Sequence, residues 1–355
     1  MMDKFDQLFD CSNKKLSLYR FSLPLKKTIN FKGHHLSTRE GLWLIEHSPH
    51  GQDYIGEVSP LPGFSQETLA ACQTQLIDAL QAGTLTNQCI SKQQANHQQV
   101  DFTAPFLPSV SFALFCLQQR IPWALQTSNV AQDIALMTIP LLQGSLNEII
   151  KRYRELNYPA TVKLKVARLS VAEDIKVIQS LIELNPAVQL RLDANQQWTA
   201  IQYIDFLDAI DRKCIDYIEE PTLSTMDNIS ISTQFKVSIA LDESLLISNL
   251  LPISKCIKAL IIKPTLIGYS ARIQALLTHA QQQQLSLSMS ASFESPIALQ
   301  QLAYLAKQWQ QKTQLKVSLG LDTLHAFQPE ISHAIKDNSD LQRFITSQAT
   351  CIWHS

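Results

Sequence analysis

The fold is decided by five short segments: Lys163-Leu164-Lys165, Arg191-Leu192-Asp193-Ala194-Asn195, Tyr217-Ile218-Glu219-Glu220-Pro221, Ala240-Leu241-Asp242-Glu243-Ser244 and Ile261-Ile262-Lys263-Pro264-Thr265. In each segment a short apolar run, of a length typical of strands, carries or ends in charged residues, and helical spacing follows it. The segments therefore predict strand–helix units whose strands end in ionisable side chains.

Similar apolar runs recur along the chain, eight in all, and their starts lie mostly about 20–30 residues apart, the size of one strand–helix unit. They cover 135–142, 161–166, 188–192, 214–218, 238–241, 259–262, 285–289 and 316–321. Eight successive units predict an α/β fold with a parallel (β/α)7β-type TIM-like barrel, because each parallel crossover needs a helix. An open doubly wound sheet is the alternative, and the absence of a G-x-G-x-x-G turn disfavours it.

The first hundred or so residues have a different texture, with short strand patterns and turns. Leu16–Leu25 and Leu42–His47 are predicted strands of one hairpin, joined by the polar loop Lys26–Gly41. Apolar residues at helical spacing predict helices over Gln66–Gln81 and Ser109–Gln119. These elements predict an α+β domain.

This change in sequence pattern divides the chain into three predicted parts. We expect an N-terminal α+β capping domain over residues 1–130 and the catalytic barrel over residues 131–325. Residues 326–355 are expected to pack back on the cap or the barrel.

Composition excludes several classes of protein. Hydrophobic residues make up 45% and charged residues 17%, as in an ordinary globular core, and the net charge of -1 gives no reason to expect nucleic acid or an anionic membrane as a partner. No uncharged apolar stretch approaches about 18 residues, and the start lacks the features of a signal peptide. The seven scattered cysteines form no C-x-x-C pair, which argues against disulfides and zinc. A cytoplasmic protein is predicted.

Three carboxylates lie at the ends of three successive predicted strands, namely Asp193, Glu219 and Asp242. Each acid alone is better explained as a cap of the following helix, where Asp and Glu are favoured. Three in register would repel one another in a barrel mouth unless a hard cation lay among them. An all-oxygen set suits Mg2+ or Mn2+.

Three lysines lie on the same kind of strand. Lys163 and Lys165 are two residues apart and therefore point to one face, and Lys263 is on the predicted sixth strand, across the barrel. One such lysine alone could be an exposed residue that blunts a sheet edge. Lysines that face a carboxylate metal site indicate proton abstraction, because a neighbouring cation lowers a lysine pKa and frees a neutral amine.

These motifs resemble the muconate-lactonizing branch of the enolase superfamily. K-x-K, D-x-N, E-E-P, D-E-S and K-P-T follow one another on successive strands, and the pattern continues over Ser288–Ser295 and Gly320–Thr323. The resemblance covers most of the chain and thins at 81–106 and after Phe327. In one departure, Ala167-Arg168 occupies a place where glycine is frequent.

The resemblance implies a metal-dependent lyase of menaquinone biosynthesis. It would act on a small-molecule carboxylate, removing water from a hydroxylated cyclohexadiene so that the ring becomes aromatic. Asp193, Glu219 and Asp242 would bind Mg2+ or Mn2+, which stabilises an enediolate, while Lys165 removes and returns the proton. Lys263 would stabilise the anion. The predicted substrate-binding residues are Lys163, Arg191, Asn195, Ser290 and Ser292.

Other functions stay open at this point. The same residues would serve an N-acylamino acid racemase or dipeptide epimerase, with Lys263 as a second acid–base, and a non-catalytic barrel is a third possibility. The donor-rich segment Phe31–Arg39 is expected to close over the substrate, although a plain solvated loop explains it equally well. The sequence gives no oligomeric state.

Overall fold

The barrel predicted from the sequence is present. The computed structural model describes residues 9–10, 14–31, 33–49, 52–85, 106–124, 137–247, 251–268, 271–331 and 335–355. Eight parallel strands form one sheet in which each strand pairs with its neighbours in the chain. From the first barrel strand to the eighth they are Leu141–Leu142, Thr161–Lys165, Gln189–Asp193, Ile215–Glu219, Ile239–Leu241, Ile257–Ile262, Ser286–Ser290 and Val317–Gly320. This α/β architecture confirms the predicted fold.

The first and eighth strands approach each other and close the barrel. Thr138 forms a parallel bridge with Leu319, and the Ile139 amide donates to the Leu319 carbonyl at 2.8 Å. Beside this bridge, Arg152 Nη2 lies 2.6 Å from Asp322 Oδ2, which also accepts the Leu141 amide at 3.0 Å. A charge-assisted pair therefore reinforces the place where the sheet has few backbone bonds.

Helices separate the barrel strands, and the longer ones pack on their outer face. They span Leu146–Glu155, Val171–Leu184, Ala200–Ala209, Thr225–Phe235, Ser244–Ile247, Pro264–Ile267, Ala271–Gln283 and Pro296–Thr313. The helices that follow the third and fourth strands are capped by Thr199 and Ser224, whose hydroxyls accept backbone amides of the first turn. Asp193 and Glu219 therefore do not cap these two helices, so the strand-end acids need another explanation.

The N-terminal part contains a four-stranded antiparallel sheet. Its strands lie in the order Ala349–His354, Leu16–Phe31, His34–Glu46 and Tyr54–Val58, so the end of the chain supplies an edge strand. Helices Leu69–Gln81 and Pro108–Gln118 pack against its core, a short pair joins Phe9–Asp10 to Thr84–Leu85, and a helix spans Asn338–Gln348. The first two helices pack on one face of the sheet and Asn338–Gln348 on the other, and this combination of sheet and helices is the α+β arrangement expected from the sequence.

The prediction that Lys26–Gly41 forms a polar loop is wrong. Both strands continue through it, with Ile29 opposite Leu36 and Asn30 opposite His35, and the register shifts between Pro24 and Ile29. Alternation of apolar residues was the signal used for strands, and it is lost where a two-stranded ribbon is exposed on both faces. The backbone ladder continues there without it.

The C-terminal segment packs against the N-terminal sheet. Phe327 and Ile345 are buried in one core with Phe21 and Trp43, whose rings stack at 4.3 Å. Leu25 bridges Phe327 in antiparallel fashion. No helix in the described ranges is long and apolar enough to cross a bilayer.

Buried polar contacts fix the N-terminal sheet to the barrel. Glu57 accepts the Trp43 indole N–H at 3.0 Å on its own side and the Ser295 amide at 3.0 Å on the barrel side. Gln301 Nε2 donates to the Ile55 carbonyl at 2.8 Å. Buried hydrogen bonds of this kind are costly to break without replacement, so they hold the sheet in one orientation over the barrel.

Candidate active site

A cavity of about 570 Å3 opens at the carboxyl ends of the barrel strands. The N-terminal part contributes Ile29, Asn30 and Gly33 of the hairpin, together with Leu61 and Phe64. Catalytic groups of barrel enzymes lie at this end of the strands. The barrel side of the wall includes Gln143, Lys163, Lys165, Arg168, Asp193, Asn195, Lys263, Ser290, Ser292, Phe293, Asp322 and Thr323.

The three predicted carboxylates lie together at neighbouring strand ends. Asp193 and Glu219 are register partners on the third and fourth strands, and Asp242 directly follows the fifth. Their relative exposures are only 1%, 1% and 2%. Ionised carboxylates so deeply buried are costly unless positive charge compensates them. Asp193 lines the cavity itself.

Each of these carboxylates is paired with a lysine. Lys163 Nζ lies between Asp193 Oδ2 at 2.7 Å and Glu219 Oε2 at 2.5 Å. Lys165 Nζ lies 2.7 Å from Asp193 Oδ2, and Lys263 Nζ lies 2.7 and 2.5 Å from the two oxygens of Asp242. The alternative of an exposed, edge-blunting lysine therefore does not describe these three.

The surroundings shift the pKa values of Lys165 and Lys263 in opposite directions. Burial lowers the pKa of Lys165, and the charges of Lys163 and Arg168 lower it further against the attraction of Asp193. Burial also disfavours the ammonium of Lys263, but Asp242 and Glu243 outweigh it and raise that pKa. Lys165 is thus the lysine placed to lose a proton, and Lys263 the one placed to keep its charge.

Asn195 links Lys165 to an acid that the sequence prediction passed over. Its Oδ1 accepts from Lys165 Nζ at 2.6 Å, and its Nδ2 donates to Glu243 Oε1 at 2.9 Å. Because the two ends of the amide differ, Glu243 fixes which end faces the lysine. Glu243 is the second acid of the D-E-S motif, and this was the sequence signal that could have identified it. The prediction considered only one carboxylate per strand and therefore did not use it.

The remaining predicted substrate residues divide into two groups. Ser290 and Ser292 line the cavity, and the Ser292 hydroxyl has no hydrogen-bond partner among the described residues. Arg191 does not line it: its guanidinium donates to Asp216 Oδ2 at 2.8 Å and to Ser318 Oγ at 2.6 Å. It lies two residues before Asp193 on the same face of the strand and therefore deeper in the barrel.

Ala167 adopts a strained conformation two residues after the end of the second barrel strand. Its φ is 62°, in the left-handed region, and its amide donates to Asp174 Oδ2 at 2.8 Å. We expect Ala167→Gly to raise the free energy of unfolding by about 0.5–1 kcal/mol, because glycine reaches this region without the Cβ penalty. Urea unfolding measures it. Ala187→Gly is the control, since Ala187 has no positive φ and should only lose stability.

The residues at this site fit a divalent cation in chemistry and charge. The donors are all oxygens, as Mg2+ and Mn2+ prefer. Burial, together with the charges of Asp193 and Asp242, raises the pKa of Glu219 to about 8 although the Lys163 ammonium lies beside it. The Lys163 ammonium therefore does not fully compensate the buried Glu219 carboxylate, and a divalent cation would add positive charge there. Among the described residues, no three acidic, histidine or cysteine side chains are arranged as a metal-binding cluster. The Lys163 ammonium instead lies between one oxygen of Asp193 and one of Glu219.

Two known protein families match the N-terminal part and the barrel of this chain, respectively. Residues 146–330 match the family described as enolase C-terminal domain-like, and residues 13–121 match the family described as MenC, N-terminal domain. The solved o-succinylbenzoate synthase of Thermosynechococcus elongatus, complexed with Mg in its active site, superposes with a TM-score of 0.66 at 21% identity over 94% of this chain and 99% of that one. The barrel and its carboxylate–lysine site define an enzyme of the enolase superfamily.

More similar relatives identify one family within the enolase superfamily. The o-succinylbenzoate synthase of Haemophilus influenzae is 32% identical over 91% of this chain and 94% of its own length. That of Yersinia enterocolitica is 31% identical over 96% and 99%. The chain belongs to the o-succinylbenzoate synthase family. The L-Ala-D/L-Glu epimerase of Bacillus subtilis shares the fold, with a TM-score of 0.64 at 16% identity over 90% of this chain and 91% of that one.

Proposed function

We propose that the chain is a lyase that converts 2-succinyl-6-hydroxy-2,4-cyclohexadiene-1-carboxylate to o-succinylbenzoate in menaquinone biosynthesis. One observation carries the proposal: Lys165 and Lys263, from the second and sixth strands, line one cavity beside three buried carboxylates. A cytoplasmic location and the identity of the metal, Mg2+ or Mn2+, are parts of the same proposal.

Lys165 does the proton transfer in this proposal. Its Nζ, held by Asp193 and Asn195, takes the proton from the ring carbon next to the carboxylate. The resulting ammonium returns that proton to the departing hydroxyl, so that a C–H and a C–O bond break, a C=C bond forms and water leaves. One group can serve as base and then acid because both events take place on one face of the ring.

Positive charge stabilises the anion formed between these two steps. Lys263, which is paired with Asp242, keeps its charge and offers it from the opposite side of the barrel. A divalent cation held by Asp193, Glu219 and Asp242 supplies Lewis-acid stabilisation of the substrate carboxylate when it is bound. Lys163 forms ion pairs with two of these acids and borders the cavity.

A racemase or epimerase is the second candidate, because lysines on opposite sides of one cavity could each exchange a proton with a chiral carbon. The raised pKa of Lys263 disfavours its use as a second base. The direct test incubates the protein with Mg2+ and the cyclohexadiene and follows o-succinylbenzoate by chromatography. Absence of product, together with deuterium exchange into N-acylamino acids, would replace the first candidate by the second.

The hairpin tip provides a test of the proposed cap. Asn30 and Gly33 line the cavity, and Asn30 Oδ1 lies 2.6 Å from His35 Nδ1. Replacing residues 30–35 with Asn-Gly joins Ile29 to Leu36 by a two-residue turn suited to hairpins. We expect KM to rise roughly tenfold, the loss of about one hydrogen bond or apolar contact. The thermal midpoint and Mg2+ affinity should stay close to the original values.

Steady-state kinetics and calorimetry on the shortened protein measure these quantities. A KM equal to that of the intact chain would reduce the hairpin to a structural connection.

A further inference from the structure

Arg168 lies at the rim of the cavity, three residues beyond the end of the second barrel strand. It lines the same cavity as Lys165. The intervening Ala167 has a φ of 62° and its amide is held by Asp174, so the chain turns sharply at a fixed point before Arg168. The position of Arg168 at the rim is therefore set by the loop backbone.

Arg168 differs from the other cations of this cavity in its partners. Lys163, Lys165 and Lys263 each contact a carboxylate within 2.7 Å. The Arg168 guanidinium donates to the neutral Gln143 Oε1 at 3.3 Å and forms no ion pair within the described ranges. Arg168 is an exposed residue at the rim, and desolvation by the protein atoms around its guanidinium lowers its pKa. This cation has the capacity to pair with an anion that a ligand brings.

Neighbouring strand ends offer further polar groups on this side of the cavity. Gln143 follows the first strand, and Thr323 follows the eighth, which adjoins the first through the Thr138–Leu319 bridge. Thr323 is only 6% exposed, and its hydroxyl has no hydrogen-bond partner among the described residues. A buried hydroxyl that lines a cavity without a partner is expected to bind a polar group of the ligand.

We propose that Arg168 binds the carboxylate at the far end of the substrate's succinyl chain and thereby selects a dicarboxylate. The inference rests on the proposed function, which gives the substrate its second carboxylate. A guanidinium suits this role because its planar donors match a carboxylate in bidentate fashion. The ring carboxylate would lie at the acid–lysine cluster and the second carboxylate nearer the rim.

The experiment compares the wild-type protein with Arg168→Leu. We expect KM for the cyclohexadiene and Kd for o-succinylbenzoate to rise about 10- to 100-fold, the range for a lost hydrogen-bonded charge pair, with a much smaller change in kcat. Arg168→Lys should recover part of the affinity. The matched control is Arg154→Leu, because Arg154 is exposed on the helix Leu146–Glu155 and does not line the cavity.

A ligand with an altered terminus makes the test specific. An o-succinylbenzoate analogue whose succinyl carboxylate is a primary amide should bind wild-type protein more weakly than the acid, and Arg168→Leu should not distinguish the two. If Arg168→Leu keeps the wild-type preference for the acid, or loses kcat at unchanged KM, the inference is overturned. Wild-type protein that fails to form o-succinylbenzoate overturns the proposed function instead.

Discussion

Lys165→Arg is expected to lose dehydration almost completely, with kcat falling by about 10^3-fold or more. General acid–base groups contribute roughly 10^2- to 10^4-fold, and here one residue serves both steps. Arginine preserves the positive charge beside Asp193, so the buried ion pair survives. It cannot supply a neutral base, because guanidinium does not deprotonate in proteins. The loss would therefore report proton transfer rather than lost charge.

Lys263→Arg is the matched comparison. Lys263 contacts both oxygens of Asp242, a geometry that a guanidinium can reproduce as a bidentate pair. We expect this variant to retain measurable dehydration, limited by its altered geometry. In deuterated water, both variants should lose any two-sided exchange with N-acylamino acids. Single-turnover assays of both variants decide the assignment: activity in Lys165→Arg with none in Lys263→Arg would place the base on the sixth strand.

Glu219→Gln is expected to lower turnover by about 10^3-fold and to weaken Mg2+ binding while leaving the barrel folded. In the metal-free protein, burial raises the pKa of Glu219 to about 8, and glutamine resembles the neutral acid in shape and charge, so the metal-free barrel should stay folded. The variant removes a charged oxygen ligand that a divalent cation needs. Asp193→Asn should have the same effect on turnover but a larger effect on stability, because Asp193 forms ion pairs with both Lys163 and Lys165.

Titration calorimetry with Mg2+ and circular dichroism separate these effects. Treatment of the wild-type protein with a chelator should remove activity, and added Mg2+ should restore it. Asp205→Asn, which changes an exposed carboxylate on a barrel helix, is the control and should match wild type. Full activity of chelator-treated protein, or unchanged Mg2+ affinity in Glu219→Gln, would exclude the three-acid metal site.

The sequence predicted the barrel correctly because each strand is a short apolar run that is followed directly by polar or charged residues. Each predicted barrel strand overlaps an observed one, and its ends differ by at most two residues wherever the strand is longer than a pair. Period-two alternation correctly put Lys163 and Lys165 on one face, and both line the cavity. Prediction failed at Lys26–Gly41, where an exposed hairpin lacks the apolar signal that reports strands.

The sequence by itself determined the fold class and the types of residue at the strand ends, because both depend on short-range periodicity and spacing. Only the tertiary structure decided the partners of those residues. The register places Asn195 against Lys165 and turns Arg191 towards Asp216. Burial and neighbouring charge then push the pKa values of Lys165 and Lys263 in opposite directions. Such effects depend on distances between residues far apart in the chain, which local sequence patterns do not contain.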